Sequence, residues 1–247
     1  MLLETKGICK YFGGLKAVDE VDFTLQEGQL KSIIGPNGAG KTTFFNLVSG
    51  LFMPTKGSVL FQGRDISHKV MAERSQMGIT KTFQITHIFP RLTVFENVRL
   101  AAQSRVCIYN FWRRAYRMKE INDRALELLE HVGLLEARSR PASELSHGEK
   151  KYLEIAIALA TSPKVLLLDE PTAGMGPAET IEATRLIDIL ARELKLTIIL
   201  IEHDMSVVMG ISDEIMVLYE GRKLVEGTPA EINSNEMVQN VYLGKRA

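Results

Sequence analysis

Apolar positions along the chain switch between a period of two and a period near four. Val21, Phe23 and Leu25 alternate with Asp22, Thr24 and Gln26, which predicts a half-buried strand. Residues 57–63 hold another, with Val59 and Phe61 on one face, and the two predict an antiparallel sheet. Leu30–Ile34 reads as a short buried strand, and residues 79–83 as a further one. Residues 165–168 are wholly apolar, as a parallel strand covered on both faces requires. Residues 197–201 and 215–218 read as two more strands. Between them lie helical patterns. Phe44, Phe45, Leu47, Val48 and Leu51 share one face, and residues 178–194 form another helix. Thr93 with Glu96, and Ser146 with Glu149, have the spacing of capping boxes that open helices. Ile121, Ala125, Leu128, Leu129 and Val132 mark a helix stopped by Gly133. Thr228, Pro229 and Glu231 supply an N-cap, a first-turn proline and an acid at N3 for a C-terminal helix. The expectation is one α/β unit over residues 1–247. Its core and antiparallel β subdomain take up 1–89 and 163–247, and a helical subdomain takes up 90–162.

The stretch that turns this pattern into chemistry is Gly35, Pro36, Asn37, Gly38, Ala39, Gly40, Lys41, Thr42 and Thr43. It follows a predicted strand, precedes a predicted helix, and has the Gly-x4-Gly-Lys-Thr form of a phosphate-binding loop. Its glycines let the backbone curl with N–H groups inward, toward anionic phosphates at a helix N-terminus. Lys41 supplies a point charge for the β- and γ-phosphates, and the Thr42 hydroxyl is placed to ligate Mg²⁺. Strand 165–168 runs into Asp169 and Glu170, so their carboxylates fall at the C-terminal edge of the sheet beside this loop. Asp169 is placed to hold Mg²⁺ through water, and Glu170 to polarise an attacking water as general base. The expectation is a P-loop NTPase core of the RecA-like kind, with ATP and Mg²⁺ as cofactors.

Composition narrows the setting. The 30 basic and 30 acidic side chains cancel, which gives no electrostatic case for a nucleic-acid partner. Cys9 and Cys107 lie far apart and form no metal pattern, so they read as free thiols in a reducing compartment. No apolar run approaches the roughly 20 residues that span a bilayer. The expectation is a cytoplasmic chain whose membrane role, if any, runs through separate subunits.

Ser146-His147-Gly148-Glu149, ahead of the Asp169-Glu170 strand, resembles the Leu-Ser-Gly-Gly-Gln signature of ATP-binding cassette ATPases. Gln84 follows strand 79–83 as that family's Q-loop glutamine does, and His203 follows strand 197–201 as its switch histidine does. Phe12 sits where the family stacks an aromatic on adenine, with Tyr11 as a rival, and Val18 falls to the same nucleotide site. The resemblance spans essentially the whole chain. It implies a dimer, of this chain or with a second ATPase subunit, that sandwiches two ATP molecules. Each would lie between one phosphate loop and the other subunit's Ser146 and Gly148. It further implies that Gln84 senses Mg²⁺ and the water and couples to membrane subunits, and that His203 contacts the γ-phosphate. The chain would then sit peripherally on the cytoplasmic face of the membrane.

The sequence departs from the family pattern at His147, at Glu149 and at 173–176, where an aspartate is usual. Residues 13–18, 173–175 and 240–244 are similar to the ATPases of branched-chain amino acid importers, which work with permeases and a solute-binding protein. Urea or short-amide importers and a lipopolysaccharide exporter share parts of the pattern. A soluble cassette ATPase, a P-loop kinase and a non-hydrolysing regulator are the rival classes. The stretch 109–119, with Trp112, Arg113, Arg114, Arg117 and Lys119, reads as a solvated basic helix face. Contact with lipid headgroups or a membrane subunit is the alternative.

Overall fold

The computed structural model describes residues 1–82, 88–104 and 114–243. Two sheets face each other across the helix that follows the phosphate loop. The first is antiparallel, in the order β2-β1-β4-β5, from β1 Leu3–Phe12, β2 Leu15–Leu25, β4 Lys56–Phe61 and β5 Arg64–Asp65. The second has the order β10-β9-β3-β8-β7-β6. In it β3 Leu30–Ile34, β6 Ile79–Lys81, β7 Val165–Asp169, β8 Thr197–Ile201 and β9 Glu214–Tyr219 run parallel, and β10 Arg222–Gly227 closes the edge antiparallel to β9.

The parallel strands alternate between two cores. Leu166, Leu168, Ile198 and Leu200 face a helical layer, while Val165, Leu167, Ile199 and Ile201 face α1 Lys41–Ser49 and the antiparallel sheet. Both faces are covered, so each strand could be apolar throughout. The helical layer contains α3 Val94–Gln103, α4 Arg114–His131 and α5 His147–Ala160, which pack on one another and on α6 Pro177–Arg192. Both predicted capping boxes are made. Thr93 and Glu96 open α3, and Ser146 and Glu149 open α5.

Some boundaries differ from the pattern. The helix after the phosphate loop ends at Ser49, because Gly50 takes a left-handed φ of 81°, and Leu51 lies exposed beyond it. The buried guanidinium of Arg74, on α2 Met71–Met77, donates to the Leu47 and Val48 carbonyls and closes that helix end. The C-terminal segment forms two helices, α8 Pro229–Ser234 and α9 Glu236–Leu243. A short helix, α7 Met205–Ile211, follows β8. Among the described residues no helix is long and apolar enough to cross a membrane.

Candidate active site

β3, β7 and β8 are neighbours, and all three end at the same edge of the sheet. The phosphate loop leaves β3 there, Asp169 and Glu170 end β7, and Glu202 and His203 follow β8. The loop is held by its own backbone and by two neighbours. Ala39 N–H donates to the Pro36 carbonyl, Gly221 N–H to the Ala39 carbonyl, and Asp19 N–H to the Gly221 carbonyl. Gly40 opens α1 with φ 98°, and a Cβ there would overlap the Ala17 carbonyl oxygen. Only glycine fits that position.

The result is a cleft of about 530 Å³. Its walls are residues 37–43 of the loop, Leu15, Lys16 and Ala17 from β2, and Glu170, His203 and Glu220. Lys41 donates to the Gly35 carbonyl at 2.7 Å and to the Pro36 carbonyl at 3.1 Å. Burial lowers its pKa below the usual lysine value, while Glu170 and Asp169 pull it back up. Glu170 stands in the left-handed region at φ 51°, an uncommon conformation for glutamate that tends to mark functional sites. The fold holds it there, since its N–H donates to the Ile201 carbonyl. His203 Nε2 lies 2.9 Å from Glu170 Oε1, so two residues 33 positions apart form one hydrogen-bonded pair. Behind them the buried Glu202 carboxylate accepts the N–H and hydroxyl of Thr172 and the N–H of His203.

Asp169 is buried behind the cleft. Neither carboxylate oxygen accepts a hydrogen bond, and Lys81 Nζ approaches Oδ2 to 3.1 Å. A carboxylate without hydrogen bonds, whose charge reaches Lys41 in the phosphate loop next to Thr42, offers the oxygen donors that suit a hard divalent cation. Among the described residues no group of three or more His, Cys, Asp or Glu side chains is arranged to hold a metal ion by itself. Such an ion would therefore draw most of its oxygens from phosphates and water.

The other expected site residues lie elsewhere. Phe12 is 45% exposed and packs edge-on to Phe52, with Lys10 5.3 Å from its ring centre. It is not in the cleft wall, but its cross-strand partner Leu15 is. The Tyr11 hydroxyl donates to Asp19 at 2.7 Å. Val18 is 1% exposed and belongs to the core of the antiparallel layer, away from the cleft surface. Ser146 caps α5 by accepting from Glu149 N–H, and neither it nor Gly148 lines this cleft. Gln84 and residues 109–113 lie outside the described residues. The sequence reading passed over Lys16, Glu220, Lys81 and Glu202. Of these, Lys16 stood in the 13–18 stretch and Lys81 in predicted strand 79–83, but neither was read as a site residue.

The ABC transporter family matches residues 18–173. The chain belongs to that family. The cassette is 43% identical over 252 aligned residues to the high-affinity branched-chain amino acid transport ATP-binding protein LivG of Salmonella typhimurium, covering 99% of this chain and 98% of that protein. It is 41% identical to BraF of Pseudomonas aeruginosa, which carries the same description, over 99% and 98% of the two chains. Among solved structures, the ADP conformation of an ATP-binding cassette of an ABC transporter superposes with a TM-score of 0.84 at 32% identity, covering 99% of each chain. A dimeric bacterial ABC transporter cassette gives a TM-score of 0.79 at 27% identity, over 92% of this chain and 99% of that one. The cassette is thus an ATPase subunit that couples ATP hydrolysis to transport.

Proposed function

We propose that the cassette drives import of branched-chain amino acids through separate permease subunits at the cytoplasmic face of the membrane, with Glu170 as general base and His203 as its partner. The observation that carries the chemistry is the Glu170–His203 pair opening on the same cleft as Lys41 and Thr42. Lys41 is at present bonded only to neutral carbonyls. Its exchange onto the β- and γ-phosphates of ATP replaces two neutral hydrogen bonds with charge-assisted ones, about twice as strong. The N–H groups of the loop and the start of α1 receive the remaining phosphate charge.

Thr42 and Asp169 are the residues that would hold Mg²⁺, with Gln84 assigned to the same ion by resemblance. Bound there, the ion would neutralise charge on the phosphates. Glu170 polarises the attacking water and takes its proton. When Nε2 of His203 carries a proton it donates to Glu170, which fixes the carboxylate's rotamer. Ser146 and Gly148 are assigned to the γ-phosphate of a second cassette, a partner subunit or a second copy. The helix α5 they open presents its N-terminal end for that contact. Phe12 is assigned to the adenine, at the rim beside Leu15.

The experiment is co-expression with candidate permease subunits and uptake of labelled leucine, isoleucine and valine into vesicles. Uptake should require ATP and vanish with Glu170→Gln, while the same variant, which still binds ATP, should accumulate as an ATP-dependent dimer. ATP-driven uptake of a different solute class, with none of these three, would overturn the substrate. A Glu170→Gln protein that hydrolyses ATP at the wild-type rate would overturn the base.

A further inference from the structure

Lys81 is a buried cation that the chemistry above leaves unused. It ends β6, and its side chain is 7% exposed. Its ammonium donates to Asn46 Oδ1 at 2.9 Å and stands 5.6 Å from the centre of the Phe45 ring. Both residues lie on α1, the helix that carries Lys41 and Thr42 at its start. On its other side Lys81 is 3.1 Å from Asp169 Oδ2, and the Asp169 side chain is 1% exposed. The approach is an ion pair off the line of a hydrogen bond, since neither Asp169 oxygen accepts one.

A carboxylate this deep, with no hydrogen bond, is tolerated only beside a cation. Lys81 is the cation in contact. Lys41 also feels the Asp169 charge but spends its hydrogen bonds on the loop carbonyls. Glu170, the next residue along, adds a second negative charge toward the cleft.

We propose that Lys81 is the resident counter-ion of Asp169 and sets the Mg²⁺ concentration that nucleotide binding requires. This rests on Asp169 being the carboxylate that holds Mg²⁺. Two cations that share one carboxylate repel each other, so each weakens the other's hold by the same factor. Lys81 is tied to α1 through Asn46 and the Phe45 ring, so its charge stays in place when the metal enters. The site therefore asks for more Mg²⁺ than it would with a neutral residue at this position. The pair also keeps Asp169 compensated when no metal is bound.

The test is a Mg²⁺ titration of the purified cassette at a fixed concentration of a fluorescent ATP analogue. It reads the metal midpoint of binding, and the thermal midpoint is followed in parallel. Lys81→Met should lower the Mg²⁺ midpoint by at least about tenfold, the floor set by a single and a double positive charge roughly 6 Å apart even at the permittivity of water. It should also lower the metal-free thermal midpoint, and the recovery on adding Mg²⁺ with nucleotide should exceed that of wild type. Lys81→Arg keeps the charge and should leave the metal midpoint near wild type. Lys81→Gln keeps a polar contact to Asn46 and decides the matter if the methionine variant does not fold.

Asp169→Asn separates the two readings. If it raises the Mg²⁺ midpoint while Lys81→Met and Lys81→Gln leave the midpoint unchanged or raise it, Asp169 holds the metal and the counter-ion role is overturned. If Asp169→Asn has no effect on the metal midpoint, the assignment of Asp169 fails, and the inference falls with it.

Discussion

Glu202 offers a prediction whose size follows from hydrogen-bond counting. The residue is 4% exposed, and its carboxylate takes part in no ion pair among the described residues. Oε1 accepts Thr172 N–H at 2.8 Å and the Thr172 hydroxyl at 2.7 Å, and Oε2 accepts His203 N–H at 3.1 Å. Three donors thus converge on a group that only accepts. Glu202→Gln keeps the shape but turns one acceptor into an NH₂. With the amide oxygen toward Thr172, the His203 N–H meets a donor; with the amide reversed, Thr172 does. One charge-assisted bond is lost, worth roughly 1.5–3 kcal/mol, and a buried donor is left unsatisfied at a further cost of about 1–3 kcal/mol. Relief from burying a charge offsets part of this. A net loss of about 2 kcal/mol is expected, close to 5 °C in Tm for a chain of this size. Equilibrium unfolding in urea should show it. Glu202 lies outside the cleft wall, so the ATP analogue's Kd should stay near wild type. Thr172→Val removes one of the same bonds, so the double variant should lose less than the sum of the two single losses. A Glu202→Gln protein within about 0.5 kcal/mol of wild type, the range of ordinary surface changes, would refute the reasoning.

Three further outcomes are expected. Lys41→Ala should weaken ATP-analogue binding by more than about tenfold, since even one charge-assisted bond of 1.5 kcal/mol is worth that much; fluorescence titration reads it. Gly40→Ala should abolish nucleotide binding and lower the unfolding free energy by at least about 1–2 kcal/mol, the cost of the left-handed φ alone. The overlap with the Ala17 carbonyl adds to that, and calorimetry with and without nucleotide separates the two effects. Asp19 is held at a pKa of about 2, first by the Tyr11 hydroxyl and then by Arg222. Its folded pKa lies below the unfolded value of about 3.9, so its stabilisation is complete above that pH and is lost as pH falls toward 2. Asp19→Asn should flatten the acid limb of stability between about pH 4 and pH 2, as followed by circular dichroism.

What the sequence made legible follows from where each signal lives. The run at β7 is apolar at every position because Leu166 and Leu168 face one core while Val165 and Leu167 face the other. Such a strand announces itself locally. β1 did not, because its pairing with β2 slips between Thr5 and Ile8, between Ile8 and Lys10, and between Lys10 and Tyr11. Each slip breaks the period of two that a strand is recognised by. β10 is an edge strand with no fully buried position, so its composition carries no face at all. The phosphate loop was readable because its chemistry is backbone chemistry, and glycines record it. The pairs around the cleft were not. Lys81 with Asp169, Thr172 with Glu202, and Arg222 with Asp19 join residues 30 to 203 positions apart. Only the strand order brings them together, and that order was not in the pattern. The exposed Phe12 and the Tyr11 bonded to Asp19 make the same point, since neighbouring aromatics in one strand have opposite fates set by the partner strand.

The departures from the family's signature are related to one another in space. His147 Nε2 lies 3.3 Å from the Ala173 carbonyl, and a Cβ on Gly174 would come within 3.3 Å of the same nitrogen. The larger residue at 147 thus faces a position with little room for a side chain at 174. Gly176 N–H donates to Glu179, whose carboxylate stands where a Cβ on Gly148 would approach to 3.3 Å. Glu149 receives the Ser146 N–H and a contact from Arg140, as a capping residue should. The loop after Glu170 is therefore packed on the start of α5 within one subunit, and the same loop is tied through Thr172 and Glu202 to the backbone of His203. In the sandwich proposed above, a partner's phosphate pressing on Ser146 and Gly148 would press on this seam. A contiguous path of contacts then runs from the start of α5 to the Glu170–His203 pair of the same subunit.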